Sequence, residues 1–178
     1  YSMDRRWLNV ADLIAFFSRN GQNYVRGMVQ DLAVGNTEVV AGIIQRLTGA
    51  ELFKLEPLQE YSRNYKECIA QAQADQQRNA RPELKRCPES LREYETIYLG
   101  YPNYWSTMPM VVFTFLERYD FTGKTIRPFC THEGSGLGSS EQDIRRLCPG
   151  AKVEPGLAVQ GGSVRHAEPA IRAWLKQS

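Results

Sequence analysis

Two stretches of the chain carry residue types that are typical of ligand loops. Residues 100–109 read GYPNYWSTMP and residues 131–140 read THEGSGLGSS. In the first loop, the rings of Tyr104 and Trp105 can stack on a heteroaromatic ring while nearby backbone groups bind its polar edge. Three glycines of the second loop allow the backbone to approach a ligand closely, namely Gly134, Gly136 and Gly138. Together the loops favour a planar, hydrogen-bonding cofactor, although such rings can also cover a sheet edge and such glycines can also form a flexible turn.

A further set of polar residues could bind phosphate. Ser18 follows the first apolar run of the chain, and Asn36 and Thr37 open a helical pattern. A helix N-terminus favours an anion, because its dipole and its free N–H groups both attract negative charge. The same residue types cap most helices, so the pattern leaves a purely structural role open. No Walker-type motif and no dinucleotide glycine motif is present, which makes a mononucleotide the better candidate.

His132 and Glu133 are the titratable pair of these loops. An imidazole beside a reduced ring could stabilise negative charge on that ring, but a loop histidine is more often simply hydrogen-bonded. The chain has two histidines and four cysteines, and neither set shows the spacing of a metal site. We therefore predict no catalytic side chain and no metal ligand.

The composition is that of a globular protein without a strong electrostatic preference. A formal net charge of +2 over 178 residues gives little attraction to nucleic acid or to an anionic membrane. No apolar run approaches the ~20 residues that cross a bilayer, and the first residues lack the apolar core of a signal peptide. The cysteine spacing favours reduced thiols. We expect a cytoplasmic protein with one domain, residues 1–178.

Apolar runs and helical stripes alternate along the chain, which predicts a parallel sheet with helices on both faces. The expected architecture is a three-layer α/β/α fold around a doubly wound, five-stranded parallel sheet, in which ligands bind at the carboxyl ends of the strands. Residues 20–34 are predicted to be a loop, and Pro128 should cost its strand one ladder hydrogen bond. The strands are predicted at 12–17, 52–55, 96–100, 124–129 and 156–159, and the helical stripes at 39–47, 65–76, 109–119, 140–147 and 164–175.

Four motifs in these positions resemble the flavodoxin-like family of bacterial FMN-binding proteins. They are FFSR at 16–19, GNTE at 35–38, LGYPNYWSTMP at 99–109 and PFCTHEGSGLG at 128–138. The resemblance implies the strand order 2-1-3-4-5 and a non-covalently bound FMN at the carboxyl edge of the sheet. It implies three groups of cofactor ligands: Ser18, Asn36 and Thr37 for the phosphate; Pro102, Asn103, Tyr104 and Trp105 beside the isoalloxazine; and Thr131, His132, Gly134, Gly136 and Gly138 at its other edge.

The chain departs from that family in two places. Residues 1–11 form an N-terminal extension, and residues 21–33 enlarge a phosphate loop that is compact in ordinary flavodoxins. Because of this insert, the resemblance does not assign Arg19 as a ligand. The insert is partly apolar, which favours a lid over the cofactor or a partner surface.

The flavin would supply redox chemistry, and the chain leaves several uses of it open. The first is electron transfer with a redox partner protein or a small electron acceptor. The second is an FMN-dependent NAD(P)H oxidoreductase that reduces quinone-like acceptors, and the third is a sensory module with a vestigial flavin. No nicotinamide-binding fingerprint is present, which favours the electron carrier.

Overall fold

The computed structural model of the protein describes residues 11–177. Its central sheet is parallel throughout, and a separate two-stranded antiparallel sheet lies beside it. The strands are β1 (Ala11–Phe16), β2 (Gly21–Val25), β3 (Met28–Leu32), β4 (Glu51–Lys54), β5 (Tyr94–Pro102), β6 (Thr125–His132), β7 (Lys152–Val153) and β8 (Leu157–Gln160). The helices are α1 (Asn36–Thr48), α2 (Tyr65–Gln77), α3 (Met110–Arg118), α4 (Ser140–Leu147) and α5 (Glu168–Leu175), with a 3-10 helix over Gly161–His166.

The strand order confirms the doubly wound α/β fold. The central sheet runs β4-β1-β5-β6, and its last position is shared by β7 and β8, which both pair with β6. Counted without the antiparallel pair β2-β3, this is the order 2-1-3-4-5. The fifth strand is split opposite Pro128: β7 pairs with residues 125–126 and β8 with residues 129–132. Pro128 has no N–H for a ladder, so a central strand tolerates it where the neighbouring strand is interrupted.

Two apolar layers cover the sheet. On one face α1 packs with α5 around Ile44, Ile171 and Trp174, all of which are buried. On the other face α3 and α4 pack around Phe115 and Ile144. Helix α3 is buried at most of its positions, as its apolar sequence predicts.

The last predicted helix is interrupted. A 3-10 helix covers Gly161–His166, and α5 begins only at Glu168. Pro169 lies in the first turn of α5, where its missing N–H costs no hydrogen bond, but it cannot continue a helix that comes from residue 164. In α1, by contrast, the predicted end is confirmed, because Gly49 closes the helix in the left-handed conformation with φ 74°.

The predicted loop at 20–34 is wrong. Strands β2 and β3 form an antiparallel hairpin, joined by the two-residue turn Arg26-Gly27 with φ 51° and 80°. Two positive φ angles define the turn whose twist matches a tight hairpin. The predicted N-terminal extension, residues 1–11, also needs a correction, because Ala11 belongs to strand β1. Residues 1–10 lie outside the described part of the chain.

Within residues 11–177, no helix combines the length and the apolar character that a bilayer crossing requires.

Candidate functional site

A cleft of about 390 Å³ lies at the carboxyl edge of the central sheet. Both predicted ligand loops, the start of α1, helix α2 and the β2-β3 hairpin contribute to its walls. Eight of the twelve predicted site residues line it: Asn36, Thr37, Pro102, Asn103, Tyr104, Trp105, Thr131 and His132. The structure therefore brings the three predicted groups into one cavity, while Ser18 and the three glycines of the second loop lie outside its lining.

The start of α1 offers free backbone donors to the cleft. The Glu38 amide donates to Ser18 Oγ at 3.0 Å, and the first intrahelical bond runs from the Val39 amide to the Gly35 carbonyl at 3.2 Å. Helix geometry leaves the amides of Asn36 and Thr37 without an intrahelical acceptor. Ser18 thus caps α1 from the loop that follows β1, and it does not line the cleft.

A buried hydrogen bond joins the start of α1 to the second predicted ligand loop. We call residues 100–109 the first ring loop and residues 131–140 the second ring loop. Thr37 Oγ1 and Thr131 Oγ1 are 2.8 Å apart, and both residues are almost fully buried. The carbonyl of Thr131 also accepts the Asn103 amide at 2.8 Å. The predicted phosphate-binding residues at the start of α1 and the two ring loops are therefore connected by hydrogen bonds at Thr131.

The first ring loop contains a strained turn. Trp105 and Ser106 have φ angles of 52° and 75°, which cost an L-residue about 1–2 kcal/mol each. The turn is closed by hydrogen bonds in both directions between Tyr104 and Thr107. It is also fastened to α2, because the indole N–H of Trp105 donates to the Ile69 carbonyl at 3.0 Å. A strained backbone that its surroundings hold in place often marks a functional position. Here the strained turn places Trp105 at the cleft, with 44% of its surface exposed.

Tyr104 forms part of the wall and is not a free ring. It packs edge-to-face against Phe17 and Tyr61, with ring centroids 6.0 and 6.3 Å away. Its hydroxyl lies 4.0 Å from Cys68 Sγ. Burial raises the pKa of Tyr104 well above its ordinary value and also raises the pKa of the Cys68 thiol. Both groups are therefore neutral at physiological pH.

Asn103 ties the two ring loops together. Its Nδ2 donates to the Gly136 carbonyl at 2.9 Å, and its Oδ1 accepts the Ser106 amide at 3.0 Å. The loops approach so closely that a methyl group at Gly138 would overlap the Ser106 carbonyl. All three predicted glycines have positive φ angles, at 148° for Gly134, 62° for Gly136 and 54° for Gly138. Glycine is therefore needed at these positions because the loop backbone adopts conformations that other residues rarely adopt.

His132 is held as a neutral acceptor. Its Nδ1 accepts the Gly134 amide at 2.9 Å, which places the ring proton on Nε2. Burial lowers the pKa of His132, and the nearby carboxylate of Glu133 opposes this only in part. Glu133 itself accepts the Arg26 amide of the hairpin turn at 3.0 Å. The titratable pair is therefore split: the histidine is neutral, and the glutamate is tied to the hairpin.

Two walls of the cleft consist of residues that were not among the predicted site residues. Helix α2 contributes a stripe that the sequence does show, on an otherwise polar helix, namely Tyr65, Cys68, Ile69 and Ala72. The hairpin contributes Asn23 and Tyr24, and the ring of Tyr24 stacks on Tyr65 at 5.9 Å with 24° between the planes. The apolar stripe of α2 is the sequence feature that could have indicated its place in the cleft wall. No sequence feature indicated that the hairpin packs against α2.

The open doubly wound sheet and its edge cleft agree with the comparisons to known proteins. A family model described as flavodoxin matches residues 28–178, and the chain belongs to that family. The chain is similar to the crystal structure of a presumed flavoprotein from Bacteroides uniformis ATCC 8492, with 25% identity, coverage of 92% of this chain and 98% of that chain, and a TM-score of 0.72. It is also similar to the crystal structure of a presumed flavoprotein from Bacteroides eggerthii DSM 20697, with 28% identity, coverage of 93% of this chain and 95% of that chain, and a TM-score of 0.71. A flavoprotein from Lactobacillus acidophilus NCFM, solved with FMN, shares the fold at 17% identity (94% and 99% coverage, TM-score 0.64). No curated protein matches the chain.

The cleft has the donors and surfaces that FMN requires. The free amides at the start of α1 and the buried Nε of Arg19, which has no partner within residues 11–177, suit a phosphate. Trp105 offers a flat face, and the backbone of the two ring loops offers polar groups to a ring edge. The residues present therefore fit the group.

Replacing Gly138 by Ala should lower the free energy of unfolding by more than replacing Gly136 does. Both residues have φ near +60°, so each Ala costs about 1–2 kcal/mol of left-handed strain. Only at position 138 does the new methyl also overlap the Ser106 carbonyl, since a methyl at 136 meets open space. Denaturant unfolding of Gly136→Ala and Gly138→Ala measures the difference. Equal losses in the two variants would contradict the close loop contact.

Acidification should destabilise the protein partly through His132. Its pKa is lower in the folded state, so below the ordinary value of about 6.5 the unfolded chain binds the extra proton and folding loses free energy. This loss grows as the pH falls toward the folded pKa and then levels off. In His132→Asn, Oδ1 can still accept the Gly134 amide but does not titrate, so the unfolding free energy should fall less between pH 7 and pH 5. An identical pH dependence in both proteins would contradict the neutral histidine.

Proposed function

We propose that the protein binds FMN non-covalently in this cleft and acts in electron transfer between a redox partner protein and an electron acceptor. The observation that carries the proposal is the joining of three loops at one sheet edge, so that the free amides of α1 and the exposed ring of Trp105 face a single cavity. Membership in the flavodoxin family supports the choice of a flavin.

Each part of the cleft has a definite task toward FMN. The amides of Asn36 and Thr37 would bind the phosphate at the positive end of the α1 dipole. Trp105 would stack on the isoalloxazine, with its indole fixed by the bond to the Ile69 carbonyl. When bound, FMN supplies the ability to accept and release one or two electrons.

The chain contributes orientation and a controlled environment. The bonds of Asn103 to both loops fix the distance across the cleft before any ligand arrives, which lowers the ordering cost of binding. His132 keeps a proton on Nε2 and can donate it in a hydrogen bond without carrying a charge. No side chain of the cleft needs to form a covalent bond, as is expected for a carrier of electrons.

One observation favours a second candidate, an FMN-dependent NAD(P)H oxidoreductase that reduces quinone-like acceptors. The second ring loop contributes Thr131, His132, Glu133 and Ser135 to the cleft and no Phe, Tyr or Trp ring. One wall is therefore polar and unstacked, which leaves a surface on which a planar substrate could lie against the cofactor.

Replacing Trp105 by Ala should weaken FMN binding roughly 10- to 100-fold, because stacking of a heteroaromatic ring on a side chain contributes about 1–3 kcal/mol. Trp105→Phe keeps a flat ring and should lose less. Leu58→Ala is the matched control, since Leu58 is exposed but does not line the cleft. Quenching of FMN fluorescence measures all three. An unchanged affinity in Trp105→Ala would contradict the stacking role.

Anaerobic reduction of the FMN-loaded protein should separate the two candidate functions. An electron carrier is reduced by dithionite in two separate one-electron steps, and NADH and NADPH leave its visible flavin spectrum unchanged over minutes. An oxidoreductase is bleached by one equivalent of NADH or NADPH in a single two-electron step and then turns over with a quinone. Rapid turnover would overturn the carrier, and a failure to bind FMN would overturn both candidates.

A further inference from the structure

The β2-β3 hairpin lies outside both apolar layers of the protein. None of its residues belongs to either core cluster, and Val25 is its one buried large hydrophobic side chain. Strand β3 is exposed at every position except Leu32. An element with few buried apolar contacts opens at a lower free-energy cost than the core of the same protein. The hairpin can therefore open as a unit while the central sheet stays folded.

The base of the hairpin is fixed to α2, on one side of the cleft. The Tyr65 amide donates to Gln22 Oε1 at 3.0 Å, and the Gln22 amide donates to the Arg63 carbonyl at 3.2 Å. The ring of Tyr24 stacks on the ring of Tyr65. Both rings line the cleft. The base of the hairpin therefore continues the wall that α2 forms.

The tip of the hairpin reaches the opposite wall. The Arg26 amide donates to Glu133 Oε2 at 3.0 Å, and Arg26 Nη2 donates to the Gly162 carbonyl at 2.5 Å. We call these two hydrogen bonds the tip contacts. Glu133 belongs to the second ring loop and lines the cleft. The hairpin thus extends from α2 to the second ring loop and bridges the two walls of the cleft.

Two consecutive glycines of the 3-10 helix make room for the tip contacts. A methyl group at Gly161 would overlap Glu133 Oε1 and Asn36 Nδ2, and a methyl group at Gly162 would overlap the Arg26 side chain. Neither glycine has a positive φ angle, so conformational freedom does not explain the pair. The space that Glu133 and Arg26 occupy explains it, because the glycine pair lets the hairpin tip, the second ring loop and the start of α1 approach one another.

We propose that the hairpin opens to admit and release the flavin, and that the tip contacts hold it closed. The role in flavin exchange rests on the proposed function, whereas the closure of the tip does not. Each tip contact involves a charged side chain, and only these two hydrogen bonds have to break before the tip separates from the second ring loop. Since entry and exit both require this opening, the tip contacts set both rates of exchange and change the equilibrium affinity less.

Tryptic cleavage at the Arg26-Gly27 bond measures the opening of the hairpin in protein freed of flavin. A folded turn is cut only after it opens, so the rate of this cleavage follows the open population. Glu133→Ala removes the acceptor of the Arg26 amide and should speed the cleavage roughly 10- to 100-fold. Glu133→Gln keeps an acceptor oxygen without the charge and should give an intermediate rate. Gly162→Ala displaces the Arg26 side chain and should speed the cleavage roughly 2- to 10-fold.

Two controls separate hairpin opening from a general loss of stability. Gly42→Ala adds a methyl group to an exposed position of α1, where it meets open space, and should match the wild type. Cleavage after Arg145, in α4 on the other face of the sheet, reports global unfolding in the same digest. Its rate should stay unchanged in every variant.

The rates of FMN association and release, followed by flavin fluorescence, test the role in exchange. In Glu133→Ala and Gly162→Ala both rates should rise together, by factors similar to those of the cleavage. Gly162 does not line the cleft, so its variant acts through the hairpin and not through a lost contact with the ligand. FMN should also slow the cleavage at Arg26 in the wild type.

The outcomes separate the inference from the function on which it rests. Unchanged cleavage at Arg26 in both Glu133→Ala and Gly162→Ala would overturn the closure of the tip. Faster FMN release without faster association, or an effect of Glu133→Ala on these rates with none of Gly162→Ala, would overturn the role in exchange. A wild type that binds no flavin would overturn the proposed function, while the cleavage rates would still decide the closure. Should Glu133→Ala fail to fold, Gly162→Ala decides: rates equal to those of the wild type overturn the inference.

Discussion

Thr131 is the residue through which the three loops of the cleft are connected. It lies one residue before the end of β6, one of the central strands, so its backbone is fixed by the sheet. Its hydroxyl meets Thr37 at the start of α1, and its carbonyl accepts the Asn103 amide of the first ring loop. Because both threonines are almost fully buried, breaking this contact would leave a polar atom without a partner, at a cost of about 1–3 kcal/mol. The geometry of the whole cleft depends on this junction.

The hairpin completes the cleft from the side that the sheet leaves open. On one side Gln22 accepts the Tyr65 amide through its Oε1 at 3.0 Å, which fixes the hairpin to the start of α2. On the other side Arg26 reaches the second ring loop through Glu133 and the 3-10 helix through the Gly162 carbonyl at 2.5 Å. The hairpin also carries outward-facing apolar side chains at Met28 and Val29. Of the two roles expected for the insert, the contacts support a wall over the cleft, and a partner surface stays a prediction.

Much of the fold could be predicted from the sequence, because the central strands and helices bury continuous apolar runs or clear stripes. The hairpin could not, since β3 is exposed at all positions but Leu32, and its only strong turn signal is Gly27. The split of the fifth strand follows from Pro128 only once its neighbour in the sheet is known. In the site, the residue types at Thr37, Trp105 and Thr131 were sufficient to locate the cleft. The sequence assigned Asn103 to the cofactor, but its hydrogen bond to Gly136 could not be predicted, because a loop that binds a ligand and a loop held by internal hydrogen bonds use the same residue types.

The central claim is that a flavin lies in this cleft with its phosphate at the start of α1 and its ring beside Trp105. Backbone amide and indole NMR signals of the protein, followed during titration with FMN and with riboflavin, test it most directly. The account predicts that FMN shifts the amides of Asn36 and Thr37 together with the indole of Trp105, and that riboflavin shifts the indole but leaves both amides nearly in place. Shifts confined to residues away from this edge of the sheet, or equal amide shifts with both flavins, would contradict it.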